Sequence, residues 1–253
     1  MASDLDIALR MARMAAEIAL SYDRRAVRSE IKPDGSPVGE VDLAIEQALL
    51  AVLRRERPDD AILSEEIGHV GDGERCWLLD PLDGTTMFLD GDPGWGTLIT
   101  LQDERGKSLL GVITRPLEET WWWAVRGEGA FCGELGARNG SGRALRVSDV
   151  ATLDDARVSA WQPSHRPEVN TVRRMPGWVY PDANVFLRLA GGEIDCVASL
   201  GGLVWDHAPA VLLVEEAGGC YRDREGGSRL DLKGGVYSNG HLAEAMGELL
   251  GWF

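Results

Sequence analysis

A chain of 253 residues that is 44% hydrophobic and 26% charged can bury a core without disulfides or a structural metal, as one large domain or two smaller ones. With 41 Asp+Glu against 26 Lys+Arg the formal net charge is −15, which argues against nucleic acid and anionic membrane surfaces as partners. If the substrate is itself an anion, something must neutralise its site locally.

Ile7, Met11, Met14, Ile18 and Tyr22 recur at helical spacing and predict an amphipathic helix over 4–27. Asp4, Asp6, Arg10, Arg13 and Glu17 interrupt it, so it reads as neither signal peptide nor membrane span, and a cytoplasmic enzyme is expected. The turn-rich stretch 32–37 follows. A second helix carries Val41, Ile45, Leu49 and Val52 and stops before Pro58. Short apolar runs at 61–64, 76–79, 97–101, 109–114 and 121–125 read as strands. In the last, Trp121, Trp122 and Trp123 alternate faces, two in the core and one at a rim. A boundary near 145 follows the Gly-rich stretch 133–142, giving an N-terminal α+β subdomain (1–145) and a C-terminal α/β subdomain (146–253). The second half alternates strand 157–161, helix 183–190, strand 194–199 and helix 206–217, the last with Asp206 as N-cap and Pro209 in its first turn. A final helix starts near 241. Cys76, Cys132, Cys196 and Cys220 contain no C-x-x-C pair and read as buried, reduced thiols.

The carboxylates stand where sites are built in α/β proteins, at strand ends and helix starts. Glu65 and Glu66 close one apolar run, Asp80 and Asp83 close another, and Asp206 opens the helix after a third. Converging carboxylates with no basic partner repel one another unless some are protonated or divalent cations lie between them. Oxygen-only ligation points to Mg²⁺. Gly84-Thr85, at a possible helix start, offers backbone N–H groups to a phosphate. Metals beside such an anion site specify phosphoryl transfer to water. The sequence contains no G-x-x-x-x-G-K-[ST] loop, G-x-S-x-G elbow or H-E-x-x-H helix, and His69, His165, His207 and His241 show no paired ligand spacing.

Over nearly its whole length the chain resembles the inositol monophosphatase superfamily of Mg²⁺-dependent, lithium-sensitive phosphatases. The resemblance rests on 32–42, on Glu65-Glu66, on DPLDGTTMF at 80–88 and on WDHAPAVLLVEEAGG at 205–219. It implies an α/β fold, a five-layered α/β/α/β/α sandwich, and a homodimer. It implies that Glu65, Asp80 and the Leu82 carbonyl hold one Mg²⁺, that Asp80, Asp83 and Asp206 hold a second, and that Glu65 borders a third, weaker site. Gly84 and Thr85 would bind the phosphate. Thr85, hydrogen-bonded to Asp42, would orient and help deprotonate the attacking water, so Thr85, Asp42 and Glu65 are the expected catalytic groups. The run 120–131 and Asp182 are closest to the histidinol-phosphatase branch, where such an aspartate meets the non-phosphate part of the substrate; a helix cap is the other reading of Asp182.

Departures from the family pattern concern selectivity. Ser199 stands seven residues before Asp206, where a glutamate usually binds the substrate's hydroxyl or amine. Gly39 replaces a threonine, Met87 an asparagine, and Arg115 a small or amide residue. Arg115, or Arg166 with Arg173-Arg174, could meet a second anionic group of the substrate, with solvated surface the other reading of each. Ser199, Asp182 and Arg115 are thus the candidate substrate contacts. The expected function is Mg²⁺-dependent hydrolysis of a small phosphorylated metabolite, with histidinol phosphate first, then inositol phosphates, then a sugar or nucleoside phosphate of a specialised pathway. A catalytically weak, phosphometabolite-binding paralogue is the alternative of another class.

Overall fold

The computed structural model describes residues 2–33, 35, 37–137, 141–161 and 166–253. Asp34 and Ser36 of the 32–37 turn, residues 138–140 of the Gly-rich stretch, and His165 lie outside them. The chain divides into two compact units: 1–123 with 132–142, and 124–131 with 143–253.

In the first unit α1 (Asp4–Ser21) opens on a reciprocal cap: the Ser3 hydroxyl accepts from the Asp6 N–H, and Asp6 accepts from the Ser3 N–H. The helix ends six residues before the expected 27, because Asp23 takes over the local backbone. Its carboxylate accepts from the Arg25 N–H and its carbonyl from the Ala26 N–H, a turn that competes with helix. The hairpin β1 (Ser29–Ile31) and β2 (Pro37–Gly39) leads into α2 (Glu40–Glu56). Then come β3 (Ala61–Ser64), β4 (Gly68–Val70), β5 (Cys76–Asp83), α3 (Thr85–Asp90), β6 (Gly96–Gln102) and β7 (Ser108–Arg115), followed by β8 (Thr120–Val125) and β9 (Gly129–Glu134), whose residues 124–131 belong to the second unit, as does β10 (Arg143–Ala144). Within the first unit the sheet runs β7-β6-β5-β3-β4, with β3 parallel to β5 and β5, β6 and β7 antiparallel in turn. The two helices pack on each other and on this sheet, α1 against β6 and β7 and α2 against β5. Ile7, Met11, Ile45, Leu49, Leu79 and Ile99 are fully buried in that layer. In β8, Trp121 and Trp123 are buried edge to face and Trp122 is half-buried, as strand alternation requires.

In the second unit β11 (Val158–Trp161), α4 (Pro167–Arg173), α5 (Val185–Ala190), β12 (Cys196–Ser199), α6 (Val204–Glu216), β13 (Cys220–Asp223), β14 (Gly235–Ser238) and α7 (Ala243–Leu250) follow in order. The sheet runs β11-β12-β14-β13, with only the first pair parallel. Cys196 and Ala198 of β12 share a core with Val169 and Val172 of α4 and Ala243 and Met246 of α7. Tyr237 of β14 instead meets Phe186 of α5 and His207 of α6. This unit is therefore a helix–sheet–helix sandwich.

Two further helix starts differ from expectation for one physical reason. The Asn184 N–H is captured by Asp182 and the His241 N–H by Asn239, so α5 starts at Val185 and α7 at Ala243. The helix α6 starts at Val204, which makes Asp206 its third residue rather than its N-cap and puts Pro209 in the second turn. All four cysteines are free thiols, but only Cys196 is fully buried; the other three are half-buried. Among the described residues the fold is mixed α/β with seven α-helices and three sheets, and no helix is long and apolar enough to cross a membrane.

Candidate active site

The site is built on an irregularity in β5. Asp80 pairs with Leu98 and Asp83 with Gly96, so β5 spends three residues where β6 spends two. In a regular strand, residues three apart point to opposite faces. The extra residue of the bulge is what lets two carboxylates three apart turn to one side. Asp80 is buried and accepts from the Leu82 N–H at 3.1 Å, which folds the Asp80-Pro81-Leu82 segment over its own carboxylate. The Thr97 hydroxyl of β6 holds the Pro81 carbonyl at 2.9 Å.

Gly84 follows with φ +81°, a left-handed conformation that favours glycine, and caps α3. The N–H groups at the start of a helix have no partner within it. Phe88 of this short helix packs edge to face on Trp95, ring centroids 5.0 Å apart, and both are buried. The Thr85 hydroxyl reaches the Asp42 carboxylate at 2.8 Å and the Leu82 carbonyl at 3.2 Å. Asp42 comes from the buried face of α2, is 2% exposed, and also accepts from the Gly39 N–H at 2.9 Å. Burial pushes its carboxyl upward; the bonds from Thr85 and Gly39 oppose the shift and nearby Glu65 adds to it. Position 39 leaves little room: a Cβ there would stand 3.1 Å from the Asp42 carboxylate.

Glu65 and Glu66 sit in the turn after β3. The Glu65 N–H bonds to the Leu79 carbonyl, and buried Glu46 of α2 accepts from Ser64 and from the Ile67 N–H. Lys32 bridges both glutamates, its Nζ 2.8 Å from Glu65 and 2.7 Å from Glu66. Burial alone would lower the Lys32 ammonium, but the two carboxylates outweigh it and raise it. Burial raises the Glu66 carboxyl, and Lys32 opposes that.

Arg115 ends β7, and it is not solvated surface. It is 4% exposed, with Nη1 3.3 Å from Asp83 Oδ2 and 3.0 Å from the Thr114 carbonyl. Desolvation pushes the Asp83 carboxyl upward and Arg115 pulls it back. The first unit thus brings together Asp42, Asp80, Leu82, Asp83, Gly84 and Thr85, with Arg115 on Asp83 and Lys32 on Glu65.

The remaining sequence candidates belong to the second unit. Asp206 accepts from the Leu203 N–H at 2.7 Å at the start of α6. Ser199 is fully buried, its hydroxyl 3.3 Å from the Gly201 carbonyl. Asp182 is half-exposed and pairs with Arg188 at 2.8 Å. The two ring nitrogens of buried His207 are engaged by Tyr237 at 2.6 Å and the Gly201 carbonyl at 2.7 Å, which makes it a packing residue.

Two residues of the site escaped sequence reasoning. Lys32 was legible only as part of a turn and of the 32–42 stretch that carries the resemblance, with no role of its own. Glu46 had a signal: it lies four residues after Asp42 on the apolar stripe of α2, a polar residue on a buried face.

Among the described residues no three His, Cys, Asp or Glu side chains already stand as a ligand cage. The donor set nevertheless suits a hard divalent cation: the carboxylates of Glu65, Asp80 and Asp83 and the Leu82 carbonyl are all oxygen. Glu65 and Asp83 each draw a cationic side chain, the behaviour of a site that demands positive charge.

Comparison with known proteins gives this arrangement a lineage. A chain from Streptomyces griseus named glucose-1-phosphate thymidylyltransferase is 44% identical, covering 98% of this chain and 96% of its own. A histidinol-phosphatase from Streptomyces coelicolor is 34% identical, covering 96% of each. The solved structure of an inositol monophosphatase from Zymomonas mobilis superposes with a TM-score of 0.83 at 28% identity, covering 98% of this chain and 97% of that one. The profile of the inositol monophosphatase family matches residues 1–250, which take in the β5 bulge, the Thr85–Asp42 bond and the start of α6 alike, and the chain belongs to that family.

Proposed function

We propose that the protein is a Mg²⁺-dependent phosphomonoesterase acting on a small phosphorylated metabolite. The observation that carries this reading is the Thr85 hydroxyl held between Asp42 and the Leu82 carbonyl, beside the bulge that aligns Asp80 and Asp83. Asp80, Asp83, Glu65 and the Leu82 carbonyl are the metal donors of the first unit, and Asp206 keeps the ligand role the resemblance gives it. When bound, Mg²⁺ supplies Lewis-acid charge that offsets the phosphate oxygens and acidifies water.

The chain's own part is positioning and proton transfer. Gly84 and Thr85 N–H groups hold the phosphate. One hydroxyl proton on Thr85 serves two acceptors, and the oxygen's lone pairs remain to accept from an attacking water. As the water's oxygen bonds to phosphorus and the ester P–O bond breaks, the water proton passes to Thr85 Oγ1, the Thr85 proton to Asp42, and the departing alkoxide takes its proton from solvent water. The raised carboxyl of Asp42 makes it a better base for that relay.

Histidinol phosphate is the first substrate candidate, supported by the name of the Streptomyces coelicolor relative. Inositol 1-phosphate and glucose 1-phosphate come next; a phosphorylated sugar figures in the name of the Streptomyces griseus relative. Phosphate release from these three and a nucleoside monophosphate, with and without Mg²⁺, tests the reading. A parallel mixture of dTTP and glucose 1-phosphate tests nucleotidyl transfer. Metal-dependent release that disappears in Asp83→Asn is expected. Release that survives this substitution, or pyrophosphate formation in the dTTP arm without phosphate release in the others, overturns it.

A further inference from the structure

We propose that Arg115 is a competing cation of the metal site, so that its guanidinium and a divalent ion exchange on the carboxylate of Asp83. This rests on the reading of Asp83 as a metal ligand. The strand β6 separates Asp83 on β5 from Arg115 on β7, and the residue facing Asp83 across the β5–β6 pairing is Gly96. A Cβ on Gly96 would stand 2.8 Å from Arg115 Nη1 and 1.8 Å from the Thr114 carbonyl. The absence of a side chain there opens the passage through which the guanidinium reaches Asp83 across an intervening strand.

A guanidinium stays charged under all relevant conditions. Buried to 4% exposure, it must keep a countercharge nearby, and Asp83 Oδ2 at 3.3 Å is one. A divalent ion on the same carboxylate meets that fixed positive charge at short range in a poorly solvated place, where like charges repel strongly. Metal binding at Asp83 therefore works against Arg115. The residue weakens the site's hold on the ion and lets the carboxylates stay together when the ion leaves.

The test is Mn²⁺ binding to the full chain after EDTA treatment, with free Mn²⁺ read by its electron paramagnetic resonance signal, in the wild type, Arg115→Gln and Arg115→Lys. Glutamine keeps a hydrogen-bond donor for the Thr114 carbonyl and removes the charge. Its Mn²⁺ affinity is expected to rise about tenfold, as loss of a nearby like charge predicts, with lysine close to wild type. The melting temperature of Arg115→Gln in EDTA is expected to fall, and its rise on adding Mn²⁺ to exceed that of the wild type. Unchanged or weaker Mn²⁺ binding by Arg115→Gln overturns the proposal. So does unchanged Mn²⁺ binding with weakened binding of inorganic phosphate, which makes Arg115 a substrate contact instead. A wild type that binds no Mn²⁺ removes the metal-site reading itself, and the proposal with it.

Discussion

Replacing Thr85 by valine keeps the side-chain volume and removes the one hydroxyl that joins Asp42 to the Leu82 carbonyl. Asp42 is 2% exposed, so its Oδ1 loses a charge-assisted bond that water cannot readily replace. Such a bond is worth about 1.5–3 kcal/mol; because Oδ2 keeps the Gly39 N–H, the expected loss is about 2 kcal/mol. For a chain of this size that lowers the melting temperature by about 4–8 °C. The loss depends on pH with a definite sign. The Asp42 carboxyl already lies above its unfolded value, so the folded protein binds more protons there than the unfolded chain, and this group destabilises the fold most when ionised. The Thr85 bond favours the ionised form. Its removal raises the carboxyl further, so the deficit of Thr85→Val is largest at neutral pH and shrinks once Asp42 is protonated in acid. Turnover should fall by about a hundredfold or more through loss of the proton relay, with its acidic limb displaced to higher pH. Thr85→Ser, which restores the hydroxyl, should recover both. Calorimetry across pH and initial-rate phosphate release read the two effects. A Thr85→Val protein that melts like wild type, or whose deficit is the same in acid and at neutral pH, refutes the assignment of Thr85 to Asp42.

Gly96→Ala should destabilise the fold by about 3 kcal/mol, because its Cβ is placed 1.8 Å from the Thr114 carbonyl and β6 and β7 cannot part without losing their pairing; urea unfolding measures this, and a neutral result refutes the close approach. Arg157→Ala should lose about 2–3 kcal/mol at neutral pH, below the full cost of breaking a buried pair since Arg157 is itself 45% exposed, while Asp195 at 0% is left with Ser148 and one backbone N–H. Asp195→Asn tests the same group by pH. Although burial opposes it, the bonds from Arg157 and Ser148 hold the Asp195 carboxyl below its usual range. The stability it contributes is therefore present above the unfolded carboxylate value and lost as pH falls through the lowered one. The variant's deficit should be full at neutral pH and vanish in strong acid, as read from chemical unfolding at both; a pH-independent deficit contradicts it.

The strand runs and the two N-terminal helices were legible because burial imposes a period on the apolar residues. What the sequence hid was local capture of backbone by short polar side chains. Asp23, Asp182 and Asn239 each trim a helix edge through their own hydrogen bonds, and an apolar period carries no trace of that. At the site, the DPLDGT motif announced the carboxylates and the Gly84 turn, and the Thr85–Asp42 bond is in place. The bulge between Asp80 and Asp83 was not legible, since it exists only as a mismatch with Gly96 and Leu98 of another strand. Nor were the Lys32 bridge and the inward turn of Arg115, because a lone basic residue in a loop or at a strand end reads as surface until its neighbours are known. Arg115 reaches Asp83 only because position 96, nineteen residues earlier in the chain, has no side chain.

The most direct test of the account is phosphate release by the full chain after its divalent ions are stripped with EDTA, before and after Mg²⁺ is restored, for wild type and Asp83→Asn. The stripped wild type should release no phosphate and recover with Mg²⁺, and Asp83→Asn should not recover. Release that persists without divalent ions, or that Asp83→Asn supports as well as wild type, would contradict it.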